Sequence, residues 1–420
     1  MRRILLLATT TGYQTRMFGE AADRLGVRLL YATDRCDQLD DPWADGAIPV
    51  RFNQEAMAVE AILHAADKTP IDGILAVGDR PTVAAAYAAQ LLGLPGNSPE
   101  GAKAARDKRL TRERLRAAGL RTPQVLVVSR HSDPRKVVSR LTFPVVVKPV
   151  VLSGSRGVIR ANSPADFLSA FERVSRLLAV ADVRELRDAA ADDVIIESYI
   201  PGREYALEGL LEHGQFHTLA LFEKPDPLVG PFFEETIYVT PSRASERTQS
   251  AIRAAIADAA RALSLHHGPV HAECRVDGDA IFVLEVAARP IGGLCARALQ
   301  FNGPKGETIG LEELLLRHAA GASVQTWTRE AMASGVMMIP IPASGIYRGV
   351  KGVEAAMQVP HVWDVRITAK RDQHLVPLPE GASYLGFIFA RADEPEDVER
   401  ALRDAHAQLS FDIVRALPVV

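Results

Sequence analysis

Cysteine is scarce: three residues in 420, Cys36, Cys274 and Cys295, leave one unpaired in any scheme and show no metal-ligand spacing. That speaks against a disulfide scaffold and a cysteine-bound zinc, and a reducing cytoplasm is the expected compartment. Long hydrophobic runs are absent too. Nothing approaches the roughly 18 apolar residues of a membrane span, so no membrane partner is expected. The start, MRRILLLATTTGYQT, offers about five apolar residues in a row where a signal sequence needs roughly 7–15. It reads instead as the first buried strand of an α/β domain. Neither sign of charge has a surplus: 49 basic against 52 acidic residues give a net charge of −3. No basic face or tail is there to follow a nucleic-acid backbone. No G-x-G-x-x-G occurs, which argues against a dinucleotide-dependent oxidoreductase built on the N-terminal strands. Repeats and low-complexity tails are missing as well.

What is present is an ordinary globular composition, 47 % hydrophobic and 24 % charged. The chain is too long for one core, and roughly two to four domains are expected. In the N-terminal part, strands at 3–9, 27–31 and 73–77 alternate with helices at 14–25, 55–66 and 82–92, which implies a parallel sheet with crossover helices. The loops 9–13 and 78–81 follow strands, at carboxyl ends where ligands bind in open α/β sheets; plain scaffold loops fit equally well. A polar helix over 99–118 precedes a strand-rich stretch over 122–161. A long charged helix is expected over 163–190, then further strands, a helix over 246–263 and a hairpin over 270–286. Helix 311–319, ended by Gly321, reads as a domain close. The remainder mixes strands (336–341, 386–390) with a helix (396–410) and reads as a separate α+β unit.

Three segments carry chemistry. In FPVVVKPVVLSGSRGVIRA, Lys148 ends an apolar strand and Ser153-Gly154-Ser155-Arg156-Gly157 forms the loop before the next one. Glycines let successive N–H groups face one concavity, which suits phosphate oxygens, and a lysine beside it adds a point charge. A glycine-rich hairpin with an incidental lysine has the same sequence. Next, Val194 to Glu204 gives an apolar strand and a connector whose backbone can meet an adenine edge, with Glu204 past the Pro201-Gly202 turn available to ribose hydroxyls. A strand, a turn and two glutamates are common, and this segment is weak by itself.

The hairpin VHAECRV-DGD-AIFVLEV is the strongest local signal. Its apolar positions are even-numbered in both strands, so an even position must face an even one and the loop must have odd length. Asp277-Gly278-Asp279 supplies a three-residue loop. Under that register Glu273 faces Val283 and lies diagonal to Glu285 on one face; a two-residue loop would separate them. Paired carboxylates repel unless a cation lies between them, and nucleotide-bound magnesium uses one or two such groups. A solvated surface hairpin is the alternative. Arg289, four residues past Glu285 and before Pro290-Ile291-Gly292-Gly293, can stabilise charge on a transferring phosphoryl group. Cys295, close by, reads as a small core residue.

In order and spacing, Asp107-Lys108, Lys148 with SGSRG, Glu197 through Glu204, and Glu273, Glu285 and Arg289 resemble the ATP-grasp superfamily over roughly residues 100–320. EVAARPIGG and GPFFEETIYVTPS are similar to its L-amino-acid ligase group, and so is the C-terminal part of the chain. The resemblance implies an α/β N-terminal domain (1–106), an ATP-grasp domain (107–320, lid about 122–200) and an α+β C-terminal domain (321–420). It implies an ADP-forming carboxylate–amine ligase working through an acyl phosphate, with small-molecule carboxylate and amine substrates, and a homodimer. ATP would be held by Lys108, Lys148, Ser153, Ser155, Gly157, Glu197, Tyr199, Ile200 and Glu204. Magnesium, or manganese in its place, would be held by Glu273 and Glu285. Arg289 and Lys148 would be catalytic. One departure stands out: many relatives carry Asn where this chain has Ala287, so one oxygen ligand is missing. The acceptor side falls to residues 224–242, with Phe232, Phe233, Glu234, Glu235 and Tyr238. A sister ligase for a non-amino-acid carboxylate and a non-catalytic nucleotide-binding protein stay open beside this reading.

Overall fold

The computed structural model describes residues 1–9, 14–34 and 47–415. Cys36 and positions 10–13 of the first strand-following loop lie outside the described residues.

The N-terminal sheet is parallel throughout, in the order Ala47–Pro49, Arg28–Thr33, Arg3–Ala8, Gly73–Val77. Its central strand is apolar on both faces because both are covered. Ile4 and Leu6 pack toward Phe18, Ala21 and Ala22 of helix Gln14–Leu25. Leu5 and Leu7 pack toward helices Glu55–Lys68 and Thr82–Leu92. Helix Leu311–Ala319 closes onto this domain so tightly that a Cβ on Gly73 would lie 1.9 Å from the Ala319 carbonyl oxygen.

The helix expected over 99–118 is two, Pro99–Arg106 and Lys108–Ala117. Asp107 divides them: it ends the first in an extended conformation, and its carboxylate caps the second by accepting the Arg109 N–H. The charged helix expected over 163–190 stops at Leu178, and two short turns, Ala181–Arg184 and Ala189–Asp192, follow.

Two further sheets frame the interior. The smaller is an antiparallel lid, ordered Val125–Ser129, Asp193–Ser198, Val145–Pro149, Ile159–Ala161, and backed by helix Pro164–Leu178. The larger has eight strands: Ala280–Ala287, Gly268–Asp277, Arg203–Glu212, Gln215–Glu223, Ile237–Thr240, Ala333–Ile339, Gly386–Ala392 and Val362–Ile367. Three of the C-terminal strands thus extend this sheet. Strand Ala333–Ile339 pairs directly with Ile237–Thr240, from Ile237 opposite Met337 to Thr240 opposite Ser334. Both strands are buried along their whole length, so neither leaves a free edge in water. Among the described residues no helix is long and apolar enough to cross a membrane.

Candidate active site

The hairpin brings its two glutamates together by a route the sequence did not show. Asp277 pairs with Ala280, so the turn has two residues, Gly278 and Asp279, and not three. Up to Cys274 opposite Val283 the pairing is odd-to-even, the register that would separate the faces. A β-bulge then takes up Leu284, and Glu273 stands directly opposite Glu285. The bulged Leu284 carbonyl accepts a hydrogen bond from Arg112 Nη2 at 2.5 Å. Glu285 makes no ion pair among the described residues, whereas Glu273 receives the Lys224 ammonium at 2.8 Å.

Both glutamates line a cavity of about 630 Å³ between the lid, the eight-stranded sheet and the N-terminal domain. Lys108, Lys148, Ser153, Ser155, Glu197, Tyr199, Ile200, Glu204 and Arg289 line it as well. Gly157 does not. Its N–H donates to the Pro379 carbonyl at 2.7 Å, and a Cβ there would meet Pro149 and Leu177 within 3 Å. At φ +77° it is a packing glycine that docks the lid loop on the connection between strands His374–Leu375 and Gly386–Ala392. Arg156 Nε donates to the Glu380 carbonyl at 2.9 Å in the same contact.

Lys148, Glu197 and Arg112 form a buried triad. The Glu197 carboxylate, expected near adenine, instead accepts from Lys148 at 2.6 Å and Arg112 at 2.8 Å. Burial alone would raise its pKa, but the two cations outweigh it and hold the group down at about 2. Lys148 is pushed down by burial and by the neighbouring Arg112 and Lys108, against the pull of Glu197. Arg112 Nη1 is buried and has no partner among the described residues. Lys108 completes the group, its ammonium bound to the Val150 and Leu152 carbonyls at 3.2 and 2.7 Å. Three cations around one carboxylate leave a surplus of positive charge at the root of the Ser153–Gly157 loop.

The stability this triad contributes depends on pH in a defined direction. A carboxyl lowered from 4.5 to about 2 stabilises the fold fully above pH 4.5 and loses that contribution as pH falls through 2. Glu197→Gln is expected to cost about 3–5 kcal/mol near pH 6, because it leaves buried cations unpaired. Urea midpoints measured between pH 6 and 2.5 should show the gap to wild type closing over the acid part of the range. A gap that stays constant would contradict the assignment.

On the facing sheet, Lys224 is a second centre. Its buried ammonium lies 2.8 Å from Glu204, 2.7 Å from Glu235 and 2.8 Å from Glu273. The other Glu204 oxygen accepts from Arg275 at 2.8 Å, so the group expected at ribose is engaged on both oxygens. Glu235 differs from its neighbours: burial first, and then the Glu273 charge, raise it to about 7 despite Lys224. Tyr238 donates to its second oxygen at 2.7 Å. The oxygens of Glu204, Glu235 and Glu273 converge closely enough to hold a cation, and the Lys224 ammonium takes that place.

The third centre is Arg289, which sequence reasoning found without its partner. Asp79, in the loop after strand Gly73–Val77, accepts from Arg289 Nε at 2.8 Å and from Nη2 at 3.4 Å. Burial works against the Asp79 charge, but Arg289 outweighs it and keeps that carboxyl below its usual range. Beside it, His271 contacts Glu208 through Nδ1 and lies 3.7 Å from Glu273 through Nε2. Glu208 in turn accepts the Ile291 N–H at 3.1 Å, which fixes the backbone after Arg289.

Asp79, Arg112, Lys224, His271 and Glu208 are the residues that sequence reasoning missed. Asp79 had a signal, because its loop was marked by position at a strand's carboxyl end, and so had His271, which strand alternation puts on the face of Glu273. Arg112 sits mid-helix, and Lys224 was only the boundary of a longer segment.

Comparison with known proteins matches three segments of the chain. The family model described as ATP-grasp N-terminal domain matches residues 19–96, the ATP-grasp domain matches 141–298, and L-amino acid ligase C-terminal domain 2 matches 337–414. An alanine–anticapsin ligase of Bacillus subtilis (strain 168) is 27 % identical over 235 residues, 53 % of this chain and 49 % of that protein. A D-alanine–D-alanine ligase of Ralstonia pickettii is 26 % identical over 228 residues, 53 % of this chain and 64 % of that one. The match thus spans about half to two thirds of these curated relatives. The crystal structure of an L-amino acid ligase from Bacillus licheniformis superposes with a TM-score of 0.83 at 27 % identity, covering 99 % of both chains. With its parallel N-terminal sheet, its lid and its paired-glutamate hairpin in the expected order, the chain carries an ATP-grasp domain and resembles the L-amino-acid ligases.

Proposed function

We propose that the protein is an ADP-forming ligase that joins an amino acid to an amine or to a second amino acid through an acyl phosphate. The observation that carries this is the convergence of Glu273 and Glu285, Lys108 and Lys148, and Arg289 on one cavity. The Tyr199 N–H is taken by the Pro144 carbonyl and the Ile200 carbonyl by Arg275. The Tyr199 carbonyl and the Ile200 N–H are left for an adenine edge. Lys108, Lys148 and the Ser153–Ser155 loop then meet the phosphates, where the surplus positive charge lies.

The donor set fits magnesium: Glu273 and Glu285 are hard oxygen ligands on facing strands, and Ala287 adds none, which leaves the remaining positions to water and phosphate oxygens. Bound there, the ion would neutralise charge between the outer phosphates. The substrate carboxylate oxygen attacks the γ-phosphorus, the bond to the β-phosphate oxygen breaks, and ADP and an acyl phosphate form. The amine nitrogen then attacks the acyl carbon, orthophosphate departs, and the amine gives up a proton. Glu235, raised to about 7 and adjoining the cavity, is placed to hold the ammonium and take that proton. With no side-chain nucleophile required, the residues position the reactants and stabilise charge.

A homodimer and a cytoplasmic location belong to the same proposal, the latter supported by the free, buried Cys274 and Cys295. The test is orthophosphate release with ATP and magnesium across pairs of amino acids, with products identified by mass. Phosphate release that needs two substrates, with a condensed product, is the expected result. ATP binding without release in any mixture would leave a non-catalytic nucleotide-binding protein.

A further inference from the structure

The lid is tied to the rest of the protein at points that lead straight into the cavity walls. Strand Ile159–Ala161, just past the Ser153–Gly157 loop, holds the segment 229–232. The Arg160 N–H donates to the Pro231 carbonyl at 2.8 Å and Arg160 Nη1 to the Val229 carbonyl at 2.7 Å, while Ile159 bridges Phe232. Immediately beyond, Phe233 and Glu235 line the cavity. The loop itself holds the connection at 379–380, through the Gly157 N–H on the Pro379 carbonyl and Arg156 Nε on the Glu380 carbonyl. Shortly after it, Ala382, Ser383 and Tyr384 line the cavity as well. Burial first, and then the Glu235 charge, raise the Tyr384 phenol well above its usual range, which places Tyr384 at the Glu235 end.

One side chain joins both attachments. Arg173, on lid helix Pro164–Leu178, donates to both Glu380 carboxylate oxygens, Nη2 to Oε2 at 2.8 Å and Nε to Oε1. Its guanidinium also lies 4.8 Å from the centre of the Phe232 ring, within cation–π range. Neither Arg173 nor Glu380 lines the cavity, and both are more than a third exposed, so the pair adds little to stability. A planar fork on a carboxylate does fix direction as well as distance. Here it fixes three elements at once: the lid helix, the segment that carries Glu235 and the connection that carries Tyr384.

We propose that Arg173 is a positioning residue through which nucleotide bound under the lid orders the cavity wall that receives the amine. The identity of that wall rests on the ligase reading above. Phosphates held by Ser153 and Ser155 fix the adjoining Arg156 and Gly157, and through them Pro379 and Glu380. Arg173 carries the same ordering from the lid helix to Glu380 and Phe232. The coupling is reciprocal, because a coupling free energy acts equally on both sites. An amine side assembled only over a bound nucleotide also limits the water that can reach an acyl phosphate.

The test is amide hydrogen exchange of the full chain, read by mass, with and without Mg²⁺ and the non-hydrolysable analogue AMP-PNP. In the wild type, nucleotide should slow exchange at 153–157. It should also slow exchange at 380–384 by about fivefold or more, the lower end of usual couplings between sites. Arg173→Ala should keep the protection at 153–157 and lose that at 380–384, with Tm little changed. Glu380→Gln, which keeps the side chain's size, should do the same. The double variant Arg173→Glu with Glu380→Arg restores the ion pair and should return most of the effect, which a merely structural role would not do. Protection at 153–157 without slowing at 380–384 in the wild type would overturn the proposal. So would full slowing in both single variants, or no return in the double variant. No protection at 153–157 would contradict the nucleotide site itself, and the proposal with it. Because the analogue is not turned over, the result is independent of the phosphate-release screen that tests the ligase reading.

Discussion

Arg289→Ala is expected to lower kcat for ATP-dependent ligation by roughly 10²–10³, the loss seen when a fixed charge-stabilising donor is removed from a reaction centre. The guanidinium is partly buried, lines the cavity and is held in one orientation by Asp79 and by the Pro290 carbonyl at 3.0 Å. A cation held this way costs no reorganisation when negative charge develops on the phosphoryl group or the tetrahedral intermediate. Asp79→Asn keeps the shape and removes the charge that fixes Arg289. Misplacement by about 1 Å can cost up to a hundredfold, so kcat should fall by a smaller factor than in Arg289→Ala, with KM for ATP little changed. Steady-state ADP release and calorimetric ATP binding check both. Wild-type kcat in Arg289→Ala would remove the residue from the mechanism.

Glu285→Gln should abolish turnover, a loss of about 10³-fold or more, since metal-borne charge stabilisation is worth several kcal/mol and each 1.36 kcal/mol is tenfold. The two glutamates of the pair are not equivalent. Glu273 already has the Lys224 ammonium, and losing it leaves a buried cation short of one partner. Glu285 has no ion pair among the described residues, so its carboxylate is the one that still awaits a cation. Glu285→Gln should therefore unfold within about 0.5 kcal/mol of wild type while losing magnesium-dependent phosphate release. Glu273→Gln should lose both activity and stability. If Glu285→Gln turns over normally, the metal assignment is wrong.

The sequence was a good guide where the signal is local. Helices Gln14–Leu25, Thr82–Leu92 and Leu311–Ala319 run as their periodicity implied. Eleven of the twelve proposed site residues line one cavity, because order along a shared framework carries them there. Gly157 is the exception, since nothing in SGSRG shows that a carbonyl from residue 379 will take its N–H. The hairpin reading placed both glutamates on one face but gave the wrong register: Glu273 stands opposite Glu285 and not Val283. A two-residue turn leaves the pairing odd-to-even as far as Cys274, and only the bulge at Leu284 restores even-to-even and odd-to-odd pairing beyond it.

By itself, then, the sequence determined the alternation of strands and helices, the phosphate-loop and carboxylate segments, and their order, all of which follow from neighbours a few residues apart. Tertiary structure decided the rest: the C-terminal strands extending the central sheet, the bulge at Leu284, and the partners of each charged group. Asp79 and Arg289 are 210 residues apart, and Arg112 and Glu197 are 85 apart. The physical reason is that a buried charge is indifferent to which residue neutralises it, and selects whichever opposite charge the packing brings within reach.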